Sequence, residues 1–299
     1  MSTPPAGTTK KRIFSRNDYL APLPTPTGEK PCDVLNIIWR KNEVFLDIGN
    51  YSIGAAVMGI WPLVMLFSGL GYGLDDPDAF IMGACITGIP ILLVIVGLFR
   101  EVPSPVRFNR QRREVCVPQA DGEYWVVPWE SVTAAATQHS SVSQAGKATM
   151  GLLIIGFENP DPQAKDENKH YSMGFNCGGG TTAMALWECM RSYMEIGPDA
   201  VPDSQLGIAP FEETQIGSII TDLRKGDLIG VVWGIFCIAI LGTYFAEKLQ
   251  DLKLSHPPDL TYPAIIEWSK PLPPEQWAQR SPELEQAICL RKVELEQVA

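Results

Sequence analysis

The chain has 299 residues, 45% of them hydrophobic and 19% charged, with a formal net charge of −10. That acidity excludes general affinity for nucleic acid, which needs a basic face to neutralise phosphates. Seven cysteines without C-x-x-C spacing and three isolated histidines (His139, His170, His256) argue against a disulfide framework and against a bound metal.

Residues 1–31 are rich in proline, threonine and lysine, and 1–47 is expected to form a mostly disordered cytoplasmic N-terminal segment. Three uncharged apolar runs follow along the chain, 48–74, 79–99 and 228–246, of 27, 21 and 19 residues. A helix needs about 20 apolar residues to cross a hydrocarbon core, so each run is long enough. They predict a transmembrane hairpin over 48–99 and a third transmembrane helix over 228–246. The first run is too long for a signal-peptide core and reads as a retained anchor. Pro62 and Pro90 predict local kinks. Gly54, Ala55, Ala56 and Gly59 either admit a neighbouring helix or reflect ordinary helix flexibility.

Charge sets the expected topology. Lys10, Lys11, Arg12, Arg16, Lys30, Arg40 and Lys41 precede the hairpin, Asp75, Asp76 and Asp78 lie in its turn, and five arginines follow it within 100–113. The positive-inside bias therefore places both hairpin ends and the N-terminus in the cytoplasm. Around the third run Arg224 and Lys225 balance Lys248 and Lys253. Parity then puts the tail outside, unless the third run re-enters or lies on the surface.

Between the second and third runs, 100–227 changes pattern. Short extended segments are expected over 106–110, 114–117, 124–132, 150–158 and 170–176, with a tight turn at Asp121-Gly122. The stretch TAAATQHSSVSQAGKAT (133–149) reads as a mobile loop. After Cys177-Gly178-Gly179-Gly180, Thr181 or Thr182 can cap a helix running to about Ile196. Ala183, Trp187, Met190 and Met194 form its inward stripe, and Gly197-Pro198 ends it. The tail, 247–299, is proline-spaced and then offers a helix start at Ser281-Pro282-Glu283. The expected fold is an α+β membrane protein: three transmembrane helices, with a small antiparallel-sheet-plus-helix soluble domain inserted between the second and third.

The segment RFNRQRREVCV (107–117), a turn, and VVPWESV (126–132) resemble the opening strands of bacterial pleckstrin-homology-like modules, over about 104–197. Together with the hairpin, the helix LWECMRSYMEIGP (186–198) and the third run, they resemble an uncharacterised family of bacterial inner-membrane proteins often encoded beside type VI secretion effectors. That resemblance covers about 40–245. It implies an inner-membrane location and a role near toxin delivery or self-protection. It carries over no catalytic residue and no cofactor.

Arg107, Arg110, Arg112 and Arg113 follow the second run closely, on the expected cytoplasmic leaflet, where each cation can contribute about 1 kcal/mol of attraction to anionic lipid. They form either a membrane-surface contact or a solvated basic turn. Trp125, Trp129 and Trp187 are expected in the core. The glycines 178–180 could cradle a phosphate but have no lysine in P-loop register, so a connector is expected. Ser68, Ser140 and Ser141 have no nucleophile motif around them. Glu188 and Glu195 fall opposite the apolar stripe and are expected in solvent. The apolar runs hold no Asp, Glu, Lys, Arg or His, as expected of anchors rather than an ion path. Three functions follow as expectations. The first is a non-enzymatic immunity or accessory factor that binds a protein partner, a toxin or secretion component. The second is a membrane-tethered adaptor, and the third, least supported by the residues, is a membrane enzyme.

Overall fold

The computed structural model describes every residue except 1–3, 52, 120, 144–145, 207–210, 212–213 and 299. Ten strands form among the described residues: β1 (Thr9–Lys11), β2 (Ser15–Ala21), β3 (Ile38–Lys41), β4 (Phe45–Ile48), β5 (Val106–Asn109), β6 (Glu114–Pro118), β7 (Tyr124–Pro128), β8 (Thr133–Ser143), β9 (Gly146–Glu158) and β10 (His170–Asn176). Eight α-helices accompany them among the described residues: α1 (Ile53–Gly73), α2 (Pro77–Phe99), α3 (Gly180–Glu195), α4 (Gln215–Lys225), α5 (Leu228–Ile240), α6 (Thr243–Leu254), α7 (Pro263–Trp268) and α8 (Pro282–Val298). The chain divides into two compact units, one formed by 1–50, 104–204 and 259–299, the other by 51–103 and 205–258.

The first unit contains two five-stranded antiparallel sheets, ordered β1-β2-β8-β9-β10 and β3-β4-β5-β6-β7. Ile38, Leu46, Phe108 and Val115 from one sheet and Leu153, Ile155 and Phe157 from the other meet Leu186, Trp187 and Met190 of α3 in one core. Trp187 stacks on Trp129, ring centres 5.5 Å apart, and Trp125 joins the same core, as their size predicts. The whole first apolar hairpin lies between β4 and β5, yet these two strands pair directly, with Asp47 opposite Arg107. The membrane segment is thus an insertion into a β-hairpin.

Several expectations change. Residues 1–47, read as mostly disordered, supply four strands, because their short alternating segments place Leu20, Ala21, Ile38 and Leu46 inward while bulk composition conceals the pattern. Stretch 133–149, read as a loop, forms β8 and the start of β9; of it, Gln144 and Ala145 lie outside the described residues. Its inward positions are Ala134 and Ala136, paired with Ile155 and Leu153, and alanine gives too weak an apolar signal to mark a strand. Tyr124–Pro128 is shorter than expected and turns at Trp129–Ser131. Ile48 belongs to the buried core of β4, and the first helix starts only at Ile53. A Cβ on Gly49 would overlap the Trp39 ring, and one on Gly151 would overlap the Gly179 backbone, so both glycines are close-approach positions.

The tail is also part of the fold. Leu260 and Ile265 bury against Cys116 on the outer face of the second sheet, and Leu284 and Ile288 of α8 are buried as well. Strands from both sides of the hairpin and the segment after the third run therefore make one body. The middle domain and the segment from Asp259 onward, expected as separate parts of the chain, share one compact unit.

In the second unit, α1 and α2 are long and apolar enough to cross a membrane. The Phe80 ring fills the space above Gly71, and Phe67 the space above Gly83, which is why the two helices carry glycine there. Both helices run through their internal prolines, Pro62 and Pro90. The third run is broken: α5 ends at Ile240, and α6 leaves at 63°. Gly242 takes a left-handed φ of +67°, and the Trp61 ring occupies the place of its missing Cβ. Trp61 Nε1 donates to the Ala239 carbonyl at 2.9 Å, a group that a continuous helix would pair with the N–H of Thr243. Close approach is also real at Gly54, where Ala246 of α6 packs.

Candidate functional site

Of the four arginines expected at a membrane surface, Arg107 comes from β5 and Arg110, Arg112 and Arg113 from the turn that leads into β6. β5 is buried at every position, because its second face is covered by the C-terminal segment. Arg107 is only 3% exposed. Its Nε and Nη2 donate to the two carboxylate oxygens of Asp47 at 2.6 and 2.7 Å, Nη2 also reaches Asp259 at 2.6 Å, and Nη1 bonds Ser269 Oγ at 3.0 Å. The guanidinium lies 3.7 Å from the Phe45 ring centre, and Arg40 adds a second cation to Asp47 at 3.3 Å. Burial alone would lower the Arg107 pKa, but Asp47 and Asp259 outweigh it and hold the group charged.

Arg113 forms the second centre. It reaches Glu195 at 2.8 Å and Glu130 at 3.1 Å, while Trp129 Nε1 donates to Glu195 at 2.8 Å and Arg280 binds the same carboxylate. The N–H of Ser281 donates to Glu130 at 3.1 Å, starting α8. Burial would raise the Glu195 pKa, yet the donors Arg113, Trp129 and Arg280 bring it below the ordinary value. Glu195 was expected in solvent and is buried instead. So is Glu188, which accepts the N–H of Thr27 at 2.8 Å and Arg191 Nε at 2.7 Å. The face of α3 opposite the apolar stripe is covered by other parts of the chain.

Arg110 and Arg112 are partly exposed. Arg110 donates to the Ile196 carbonyl at 3.1 Å and faces the Trp277 ring. Arg112 and Asn109 both donate to the Trp268 carbonyl, at 3.0 and 2.9 Å, and Trp268 Nε1 returns a bond to Glu114 at 2.7 Å. The cluster thus closes the C-terminal segment over the second sheet. Arg107 and Arg113, buried against carboxylates, do not face a lipid surface. Asp47, Asp259, Glu195 and Arg280 complete the clasp; of these the sequence pointed only to Glu195, and as a solvated residue. The only signal was charge inside the apolar alternation of VRFN, which ordinarily marks a solvent-facing position.

The glycines 178–180 act as a connector: Gly178 has φ +71°, and Gly179 packs against Gly151. Among the described residues no three or more His, Cys, Asp or Glu side chains group as metal ligands. No family model, curated protein or solved structure matches the chain.

Two outcomes follow. Arg107→Ala leaves Asp47 buried without its main partner and is expected to destabilise the protein by about 3–5 kcal/mol; a surface lipid contact would change stability by less than about 0.5 kcal/mol in denaturant titration. Acid is expected to weaken the clasp at Glu195 and Asp259, whereas burial raises the Asp47 pKa despite Arg107 and Arg40, so Asp47 does not share in that loss. Glu195 titrates below its ordinary value of 4.5, and Asp259 is held low despite partial burial by Arg107 and the Leu260 N–H. Their stabilisation is complete above those ordinary values and is lost as pH falls through the lowered ones. Proteolysis of the segment from Asp259 onward should therefore rise below about pH 4 and stay flat between pH 6 and 8; a rise in the neutral range would contradict the ion-pair clasp.

Proposed function

We propose that the chain is a non-enzymatic integral protein of the bacterial inner membrane that acts by binding a protein partner, as an immunity or accessory factor for a secreted type VI toxin. The observation that carries this reading is the use of the buried charges. Arg107, Asp47, Asp259, Arg113, Glu195 and Arg280 are spent on closing the chain over its own sheet. Two antiparallel sheets closed by α3 support the pleckstrin-homology-like outline, a scaffold that works through its surfaces. Insertion of the hairpin between β4 and β5 joins the domain to its anchor at both ends of the hairpin.

In the same reading the third run enters and leaves on one side. The chain departs from the folded body after Ser204 and rejoins it at Asp259, and the Gly242 break makes such a return possible. The adaptor alternative, with lipid contact through Arg107, Arg110, Arg112 and Arg113, loses two of its four cations to buried ion pairs. Cells lacking this protein are expected to become sensitive to one toxin encoded beside its gene. Unimpaired growth among toxin-bearing kin would overturn the immunity role.

A further inference from the structure

The turn between β1 and β2 is built unlike a soluble turn. Its tip carries Ile13 and Phe14, 91% and 62% exposed, where Gly, Asn, Asp or Ser would ordinarily stand. Three cations, Lys10, Lys11 and Arg12, precede them, all exposed. No described carboxylate pairs with these three, and Lys10 sits over the Tyr19 ring at 5.4 Å. Arg16, on the far side of the tip, is different, because Asp18 neutralises it at 2.8 Å. The tip is held in place rather than loose: the Ser140 N–H donates to the Phe14 carbonyl at 2.9 Å, and Ser15 pairs with His139 of β8. Met150, opposite His139 on β9, adds a third exposed apolar side chain beside the turn.

We infer that this turn is a membrane-docking tip, in which Ile13 and Phe14 enter the headgroup boundary of an anionic leaflet and Lys10, Lys11 and Arg12 bind its phosphates. Apolar side chains flanked by unpaired cations match an anionic interface in both charge and hydrophobicity. The chain also supplies the proximity. It leaves the folded body for its first apolar helix at Asn50, whose Nδ2 bonds the Gly174 carbonyl at 3.1 Å. Gly174, Ile154, Ala135 and Tyr19 form one row across the sheet that carries the turn. By strand spacing and rise the tip lies about 20 Å from that departure point. A tip tethered this closely meets the bilayer at high effective concentration, so modest intrinsic affinity suffices. These residues are distinct from the buried arginines of the clasp, and the inference rests on the membrane anchor, not on the toxin-related reading.

The test uses the full-length protein in lipid nanodiscs, which leave both faces open to protease. Trypsin cleavage after Lys10, Lys11 and Arg12 is compared with cleavage at Lys165 and Lys169, which lie by the opposite ends of β9 and β10 and serve as an internal reference. In discs containing roughly one-quarter phosphatidylglycerol the tip-to-reference ratio should fall about tenfold relative to pure phosphatidylcholine, and high salt should restore it. The double substitution Ile13→Ser and Phe14→Ser, at exposed positions that leave the fold intact, should also restore most of the cleavage. Equal ratios in the two lipids overturn the inference and assign the tip to a protein partner. Protection that survives both substitutions overturns the insertion of Ile13 and Phe14.

Discussion

The guanidinium of Arg107, held between Asp47 and Asp259, is the contact on which the rest of the arrangement depends. Asp47 ends the chain's first pass through the soluble body, Arg107 begins its second, and Asp259 begins its third. One buried cation therefore joins three stretches separated by two apolar excursions. Burying such a group is costly unless every donor finds an acceptor, and here Ser269, Asp47 and Asp259 supply them. The return is order rather than bulk stability. Charge pairing fixes which segment lies on the outer face of the second sheet, where an apolar cover could slide.

The second centre, around Glu195, repeats this logic further along the same cover. Arg113 arrives from the β5–β6 turn, Arg280 from the C-terminal segment, and Trp129 from the core. With both centres in place, the segment after the third apolar run is an integral layer of the domain. That layer is what supports the proposed return of the third run, since the chain on either side of 205–258 belongs to one folded body. The sequence provides the means in Gly242, with its left-handed backbone, and Trp61, which satisfies the carbonyl that the break would otherwise orphan.

Local patterns were legible where apolar side chains are large. The apolar helices, β10 at its expected limits, α3 with its glycine-proline stop, and the tryptophan core all follow from spacing and size. β8 was not legible, since alanines fill its inward positions, nor were β1 to β4, of which β2 and β4 pair with strands far along the chain. The arginines were visible as charges, but their environment was not. A polar residue alternating with Val106 and Phe108 reads as solvent-facing, and only the distant cover of Leu260 and Ile265 makes that face an interior. Ion pairs between residues 47, 107 and 259 are long-range facts, and local periodicity carries no trace of them.

Membrane topology tests this arrangement most directly. Reporters inserted after Asp76 and Asn168 and fused after Ala299 should place Asn168 and Ala299 on one side and Asp76 on the other. Opposite sides for Asn168 and Ala299 would contradict the clasp, since Arg107 and Asp259 could then never meet.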